Sequence, residues 1–481
     1  MQFCSDDRRP VAEDGLGQQR ATHDVFMPAS YQSAVARMYA LGHELADTPS
    51  HKFDLAHMRV LLNALDHPER RFPSVLIAGT NGKGSTAATL VSILQASGLR
   101  TGLYTSPHLV RINERIRING ENIDDEKFAL LHDMVERTAE RLIEDGELPW
   151  HPSFFEMLTA MAFEHFATNK LDIAVLEVGM GGRLDATNVV EPRVSVITDI
   201  SLDHEKFLGN TIAEIAREKA GIIRPGGVVV TLPQTPAAND VIGNVILEQN
   251  ATAVNAAQYV PPVSPASPSY MACETGDSKI LSRYPLRVLG KQVLVETPLI
   301  GRHQLRNVAL AIGAGEELSK QGFPVTAESI EHGIRETRWP GRFQIVPASG
   351  PAPQYVFDVA HNPAGAWALR STLSNAYEDR RLIFAFGAMR DKAISEMCEI
   401  LFPLAERVIS TNAENPRSAT PQEIRDAAHR THAEIELSRD VPSALARAKE
   451  IADADGIIVI TGSIYVVGEA MRTLGVSADG R

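Results

Sequence analysis

The run Ala78-Gly79-Thr80-Asn81-Gly82-Lys83-Gly84-Ser85 constrains the fold more than any other part of the chain. The apolar stretch Val75-Leu76-Ile77 precedes it and a helical pattern from Thr86 to Gln95 follows, which describes a strand, a loop and a helix. Glycines let successive backbone N–H groups turn toward one point, and the helix start adds the positive end of its dipole. A lysine in such a nest neutralises a terminal phosphate. The segment Gly79, Thr80, Asn81, Gly82, Lys83, Gly84, Ser85 therefore predicts a triphosphate site; the alternative is an ordinary glycine-rich strand-to-helix turn. It departs from the usual phosphate loop in two places. No glycine stands five residues before Gly82, and Gly84 holds the position where a Ser or Thr hydroxyl normally meets Mg²⁺. If magnesium is used, most of its ligands must come from elsewhere in the chain.

With 481 residues the chain has room for two or three domains. Its net charge of −13 disfavours non-specific contact with nucleic acid or a membrane surface, both anionic, so neither is expected as a partner. Cys4, Cys273 and Cys398 have no metal-ligand spacing and form no disulfide framework, which suits a reducing cytoplasm. No apolar run reaches membrane-spanning length, and residues 1–25 read as a loose polar tail without a signal-peptide core.

From Ser74 to Leu232 short apolar runs alternate with helical patterns. The expected strands are 75–78, 101–105, 173–178, 194–199 and 228–232. Their near-continuous hydrophobicity predicts strands covered on both faces, hence a largely parallel sheet. Residues 261–269 read as a loop, and 279–300 as short antiparallel strands closing the first domain. A second α/β series follows, with strands at 355–359, 382–386, 407–410, 435–437 and 457–461. The expected fold is α/β: a P-loop parallel-sheet ATPase domain over 26–300 and a Rossmann-like domain over 301–481, divided near Gly301. Ligands of open α/β sheets bind beyond the carboxyl ends of strands, so the polar segments there should converge.

Several of those segments carry chemistry. Glu177 ends a hydrophobic strand, where a metal or buried cation would offset the cost of its charge; capping a local turn is the alternative. Glycines follow it, and Arg183 could meet a phosphate or carboxylate. His204, in Ser201-Leu202-Asp203-His204, could be a neutral imidazole ligand or simply a surface residue. Ile212, Ile215, Ala216 and Lys219 share one helical face, which turns Lys219 toward the sheet. Burial lowers a lysine pKa, and the neutral amine reacts with CO₂ to give an anionic carbamate; snorkelling or an internal ion pair is the simpler alternative. Asp358 and His361 stand at a strand end of the second domain, and Ser463 at another.

Taken in order, these motifs look like a known family. Gly79–Ser85, Thr105-Ser106-Pro107-His108-Leu109, Glu114-Arg115-Ile116, Phe154-Phe155-Glu156, 176–188, 218–222, 301–307, 338–343, 358–363 and 461–469 together resemble folylpolyglutamate synthase and the bifunctional dihydrofolate synthase of the Mur ligase superfamily, over about 31–476. The resemblance implies an ATP-dependent amide ligase. ATP would phosphorylate a carboxylate on a pterin substrate, dihydropteroate or a reduced folate, and the amine of L-glutamate would then displace phosphate. It also implies two Mg²⁺ sites, K⁺ as a candidate further ion, and a cytoplasmic monomer.

Carried over by position, Lys83 lies nearest the transferred phosphoryl group, and Lys83, Lys219, His361 and Asp358 form the catalytic set. Ser106, Glu177, His204 and a carbamylated Lys219 match the metal-binding positions, which answers the puzzle set by Gly84. Asn307, Arg342 and Asp358 match nucleotide contacts. His361 and Ser463 match positions tied to glutamate binding, and Phe154, Phe155 and Glu156 match a segment at the pterin pocket, with Arg183 a further substrate contact. One segment departs from the pattern. Ala56 and His57 replace part of a Leu-Gly-Leu core that in bifunctional members helps hold dihydropteroate, so the dihydrofolate synthase activity is less securely implied than the ligase chemistry. The competing functions are a Mur-type ligase acting on a nucleotide-sugar peptide and a P-loop switch that uses hydrolysis for conformational work.

Overall fold

The computed structural model describes residues 30–42, 54–262, 272–273, 280–348, 352–453 and 456–477. The tail 1–25, most of the loop 261–269, and Lys52 and Phe53 lie outside the described residues.

The first sheet contains β1 (Ser74–Ala78), β2 (Thr101–Tyr104), β3 (Ile116–Ile118), β4 (Glu121–Asn122), β5 (Ile173–Glu177), β6 (Val194–Ile197), β7 (Val228–Thr231) and β8 (Thr252–Asn255). Its order is β4-β3-β2-β5-β1-β6-β7-β8, parallel except for the β3 and β4 edge. Alternate residues of one strand enter opposite cores, which is why the strands read as continuous apolar runs. Leu76, Ala78, Ala174 and Leu176 pack with the helices Asp125–Glu144 and Phe154–Thr168. Val75, Ile77, Ile173 and Val175 face the helix Lys83–Ala96 on the other side. Next come β9 (Ala272–Cys273), β10 (Ile280–Val288) and β11 (Lys291–Thr297); β10 and β11 pair as the expected antiparallel hairpin.

The second sheet joins β12 (Gln344–Val346), β13 (Gln354–Phe357), β14 (Leu382–Phe386), β15 (Arg407–Ser410), β16 (Ile435–Leu437) and β17 (Ile457–Thr461) in the order β12-β13-β17-β14-β15-β16. It is parallel apart from β12 and carries its own core on each face.

The division between the two units does not fall at Gly301. The helices Arg302–Lys320 and Ala327–Arg335 bury Leu305, Val308, Ile312, Ile330 and Ile334 in the same core as Val75, Ile77 and Leu90. They therefore complete the first lobe, and packing changes over between Arg335 and β12. No helix among the described residues is long and apolar enough to cross a membrane.

Candidate active site

The carboxyl ends of both sheets meet at one cleft of about 480 Å³. From the first lobe it is lined by the loop after β1, by Ser106 after β2, Glu177 at the end of β5, and Asp199 to His204 after β6. From the second come Asp358 and His361 after β13, Met389, Asp391 and Lys392 after β14, Arg417 after β15 and Ser463 after β17. Two edges of the kind that binds ligands thus face each other.

The phosphate loop is held from beneath. The N–H groups of Thr80 and Asn81 donate to the Asp199 carbonyl at 2.9 and 3.3 Å. Gly82, at φ +90°, makes the left-handed turn into the helix Lys83–Ala96, whose first N–H groups have no side-chain cap. Lys83 Nζ donates to the carbonyls of Gly79 (3.1 Å) and Thr80 (3.2 Å). Gly84 is explained by space: a Cβ there would come within 2.7 Å of the Trp339 ring. The hydroxyl normally found at this position is excluded by an indole. Ser85 is buried behind the loop, and Asn307, itself bonded to Gln304, packs against Gly82.

Lys219 lies on the helix Ile212–Ala220, buried as its spacing predicts, and its Nζ donates to the Gly79 carbonyl at 2.8 Å. Burial, with Lys83 nearby, pushes its pKa down to about 7. Glu177 is buried and accepts a long 3.3 Å bond from the Ser106 N–H. His204, in a left-handed conformation (φ 52°), has its pKa pushed down to about 4, chiefly by burial, which keeps the imidazole neutral. No three His, Cys, Asp or Glu side chains among the described residues make a metal cage. The donor set nevertheless fits Mg²⁺, which is usually held by one or two carboxylates with substrate phosphates and water completing its shell. Ser106 and Glu177 would hold one ion, and Glu177 and His204 another.

On the facing lobe, Asp358 accepts the N–H groups of Phe343 and Ala360, each at 2.9 Å. Burial raises its pKa, and Arg342 opposes that rise. Ser463 caps the helix Ile464–Leu474, accepting the Tyr465 N–H at 3.2 Å. His361 Nδ1 sits 2.9 Å from the Val359 carbonyl. A carbonyl only accepts, so Nδ1 carries the proton and Nε2 keeps its lone pair.

At the other end of the cleft Leu41, Leu55, Met58, Phe154, Phe155 and Met180 form an apolar pocket. Phe154 stacks on Tyr39 at 5.9 Å and takes the Arg115 guanidinium on its ring. The carboxylate of Glu156 is committed locally, accepting the N–H and hydroxyl of Ser153 at 2.8 and 2.7 Å in a capping box. It reaches the cleft wall without being free for a ligand. The departure at 56–57 falls beside the pocket: Leu55 and Met58 line it, whereas His57 packs on Trp150 at 4.3 Å.

Arg183 is not in the cleft. Its backbone N–H bonds the Glu218 carbonyl and its half-exposed guanidinium pairs with the Glu218 carboxylate at 2.9 Å, so a neighbouring helix takes the charge expected for substrate. Sequence reasoning also missed residues that the geometry brings in. Asp203 and Lys392 form an ion pair of 2.6 Å between the lobes, with each side chain only 9% exposed. Beside it Asn362 Nδ2 donates to Asn81 Oδ1 at 2.9 Å. Asp185, buried at the pocket wall, accepts the Met180 N–H at 3.0 Å and the Thr187 hydroxyl at 2.5 Å. Each stands just beyond a strand end, and that position was the available signal.

Comparison with known proteins agrees with this geometry. Residues 153–315 match the Mur ligase middle domain, and residues 341–464 the Mur ligase glutamate ligase domain. A dihydrofolate synthase/folylpolyglutamate synthase of Bacillus subtilis is 34% identical over 87% of this chain and 94% of its own length. Folylpolyglutamate synthase of Lacticaseibacillus casei is 33% identical over 92% of this chain and 99% of its own. The structure of Mycobacterium tuberculosis folylpolyglutamate synthase complexed with ADP and AMPPCP superposes with a TM-score of 0.80 at 32% identity, covering 93% of this chain and 99% of that one. A two-lobed cleft with a phosphate loop on one side and a glutamate-ligase lobe on the other therefore has its place among proteins of known activity: the chain belongs to the dihydrofolate synthase/folylpolyglutamate synthase family of ATP-dependent Mur ligases.

Proposed function

We propose that this enzyme joins L-glutamate to dihydropteroate and to reduced folates through an acyl phosphate. The observation that carries the proposal is the single cleft in which an aromatic-walled pocket, the phosphate loop and the second lobe's polar edge all open. A flat ring gains from Phe154 and Phe155. The acceptor carboxylate would then extend toward Lys83.

In the first step a carboxylate oxygen bonds to the γ-phosphorus and ADP leaves. In the second the glutamate nitrogen bonds to the acyl carbon and inorganic phosphate leaves. The residues contribute placement and charge, which is most of what phosphoryl transfer requires. The open N–H groups of the helix Lys83–Ala96 and the Lys83 ammonium hold the phosphates. Nε2 of His361, with its lone pair, takes a proton as the glutamate ammonium becomes an amine. Ser106, Glu177 and His204 would hold magnesium, which would supply neutralisation of phosphate charge. Lys219, a buried amine beside the loop with a lowered pKa, supports the carbamate assignment, since an anion there would suit a cation-rich site. The buried free thiol of Cys398 suits the cytoplasm.

The test is direct. With ATP, ¹⁸O-labelled dihydropteroate and L-glutamate, the enzyme forms dihydrofolate and moves one labelled oxygen into inorganic phosphate. Tetrahydrofolate should serve as a second acceptor. Phosphate release that is independent of acceptor and glutamate, or unlabelled phosphate, overturns the proposal.

A further inference from the structure

The loops after β14 and β15 hold three cations, Arg390, Lys392 and Arg417, of which the last two line the cleft. Two are committed. Lys392 is the buried partner of Asp203 at 2.6 Å, and Arg390 pairs with Glu423 at 3.3 Å on the surface. Arg417 differs. It lines the cleft, is half-buried, and its Nε is buried with no hydrogen-bond partner among the described residues. Among the described residues no carboxylate lies within ion-pair distance of it. A guanidinium nitrogen withdrawn from water without a partner is unfavourable, so a ligand that pairs with it recovers that cost.

The backbone around Arg417 is held in place. The Arg390 N–H donates to the Arg417 carbonyl at 3.0 Å, and the Arg417 N–H donates to Asn415 Oδ1 at 3.0 Å. The Ala419 N–H reaches the Ala388 carbonyl at 2.9 Å, and Met389 and Ser418 form a β-bridge. The two loops are thus stitched together, and the guanidinium fork is presented from a fixed base. Ser463 and the start of the helix Ile464–Leu474 line the same side of the cleft.

We propose that Arg417 is a specificity residue for the incoming amino acid, pairing its guanidinium with a carboxylate of L-glutamate. The proposal rests on the ligase function given above. A dicarboxylic amino acid needs more than one anion contact, and Arg417 supplies one of them. Planar, two-pronged pairing is a property of arginine that lysine reproduces only as a point charge.

The experiment is steady-state kinetics of the full-length enzyme with Arg417→Gln and Arg417→Lys. Arg417→Gln should raise the KM for L-glutamate at least tenfold, with the KM values for ATP and dihydropteroate within twofold of the parent. Arg417→Lys should recover part of the loss. The dihydropteroate-dependent transfer of ¹⁸O into phosphate, measured with hydroxylamine replacing glutamate as nucleophile, should be retained in both variants. An unchanged glutamate KM in Arg417→Gln overturns the proposal. So does a loss confined to kcat, or one shared equally by all three substrates, since that marks a structural role. Failure of the parent enzyme to transfer label at all would instead overturn the ligase assignment, so the two failures are distinguishable.

Discussion

The ion pair between Asp203 and Lys392 should behave as a clasp between the lobes, and its strength follows from its burial. Both side chains are 9% exposed and their charged atoms are 2.6 Å apart. Removing one partner of a buried pair leaves an uncompensated charge, at a cost of about 3–5 kcal/mol. The two removals are unequal here. Asp203→Asn leaves the Lys392 ammonium against an amide, with no other carboxylate in ion-pair distance among the described residues, so the full range applies. Lys392→Met leaves Asp203 with the His204 backbone N–H at 2.9 Å and the Asn362 amide at 3.5 Å, so about 2 kcal/mol is expected. The double variant should be less destabilised than the sum of the singles by about 2 kcal/mol, within the usual span for contacting residues. Urea unfolding followed by circular dichroism measures all four proteins. Because each lobe has its own cores, Asp203→Asn should also split a single transition into two. Strictly additive effects in an unsplit transition would refute the clasp, as would an Asp203→Asn cost below about 1 kcal/mol, the value typical of an exposed pair.

Three further outcomes test other parts of the structure. Lys219→Ala should lose most amide formation while ATP binding, measured by calorimetry, changes little, and bicarbonate should not restore it; full activity without the lysine rules out its role. Glu177→Gln should shift the magnesium dependence of activity to higher concentration through loss of an anionic ligand, and an unchanged titration contradicts the assignment. His132 is fully buried, neither ring nitrogen has a hydrogen-bond partner among the described residues, and burial lowers its pKa. The unfolded chain therefore binds a proton that the folded chain refuses as pH falls below about 6.5, and stability declines in that direction. His132→Leu should raise Tm at pH 8, and by more at pH 5.5; an equal gain at both pH values refutes the account.

What the sequence disclosed, and what it hid, follows from the range of the interactions involved. Strands β14, β15 and β17 lie where their apolar runs lie, because burial on both faces leaves no polar alternation to blur them. The short edge strands β3, β4 and β8 escaped, since two to four partly exposed residues carry no period. The misplaced boundary has a similar cause. Leu305, Val308, Ala309 and Ile312 show helical spacing whichever sheet they cover, and only three-dimensional packing assigns them to the first.

The site divides along the same line. Lys219 was legible because its burial depends on i, i+3, i+4 neighbours within one helix, and the phosphate loop because its turn is local. Arg183 was misread because the group that claims it, Glu218, lies 35 positions away. Asp203 and Lys392 are 189 positions apart, so neither residue advertises the other. One rule would still have found them. Asp203, Lys392, Asp185 and Arg417 all lie just past a strand's carboxyl end, where a polar side chain has no sheet to pack against and must face solvent, a partner or a ligand. Sorting them among those three fates required knowing which already had partners. Among the described residues Lys392 had one and the Arg417 side chain had none, and that difference, invisible in a string of residues, separates the clasp from the proposed binding site.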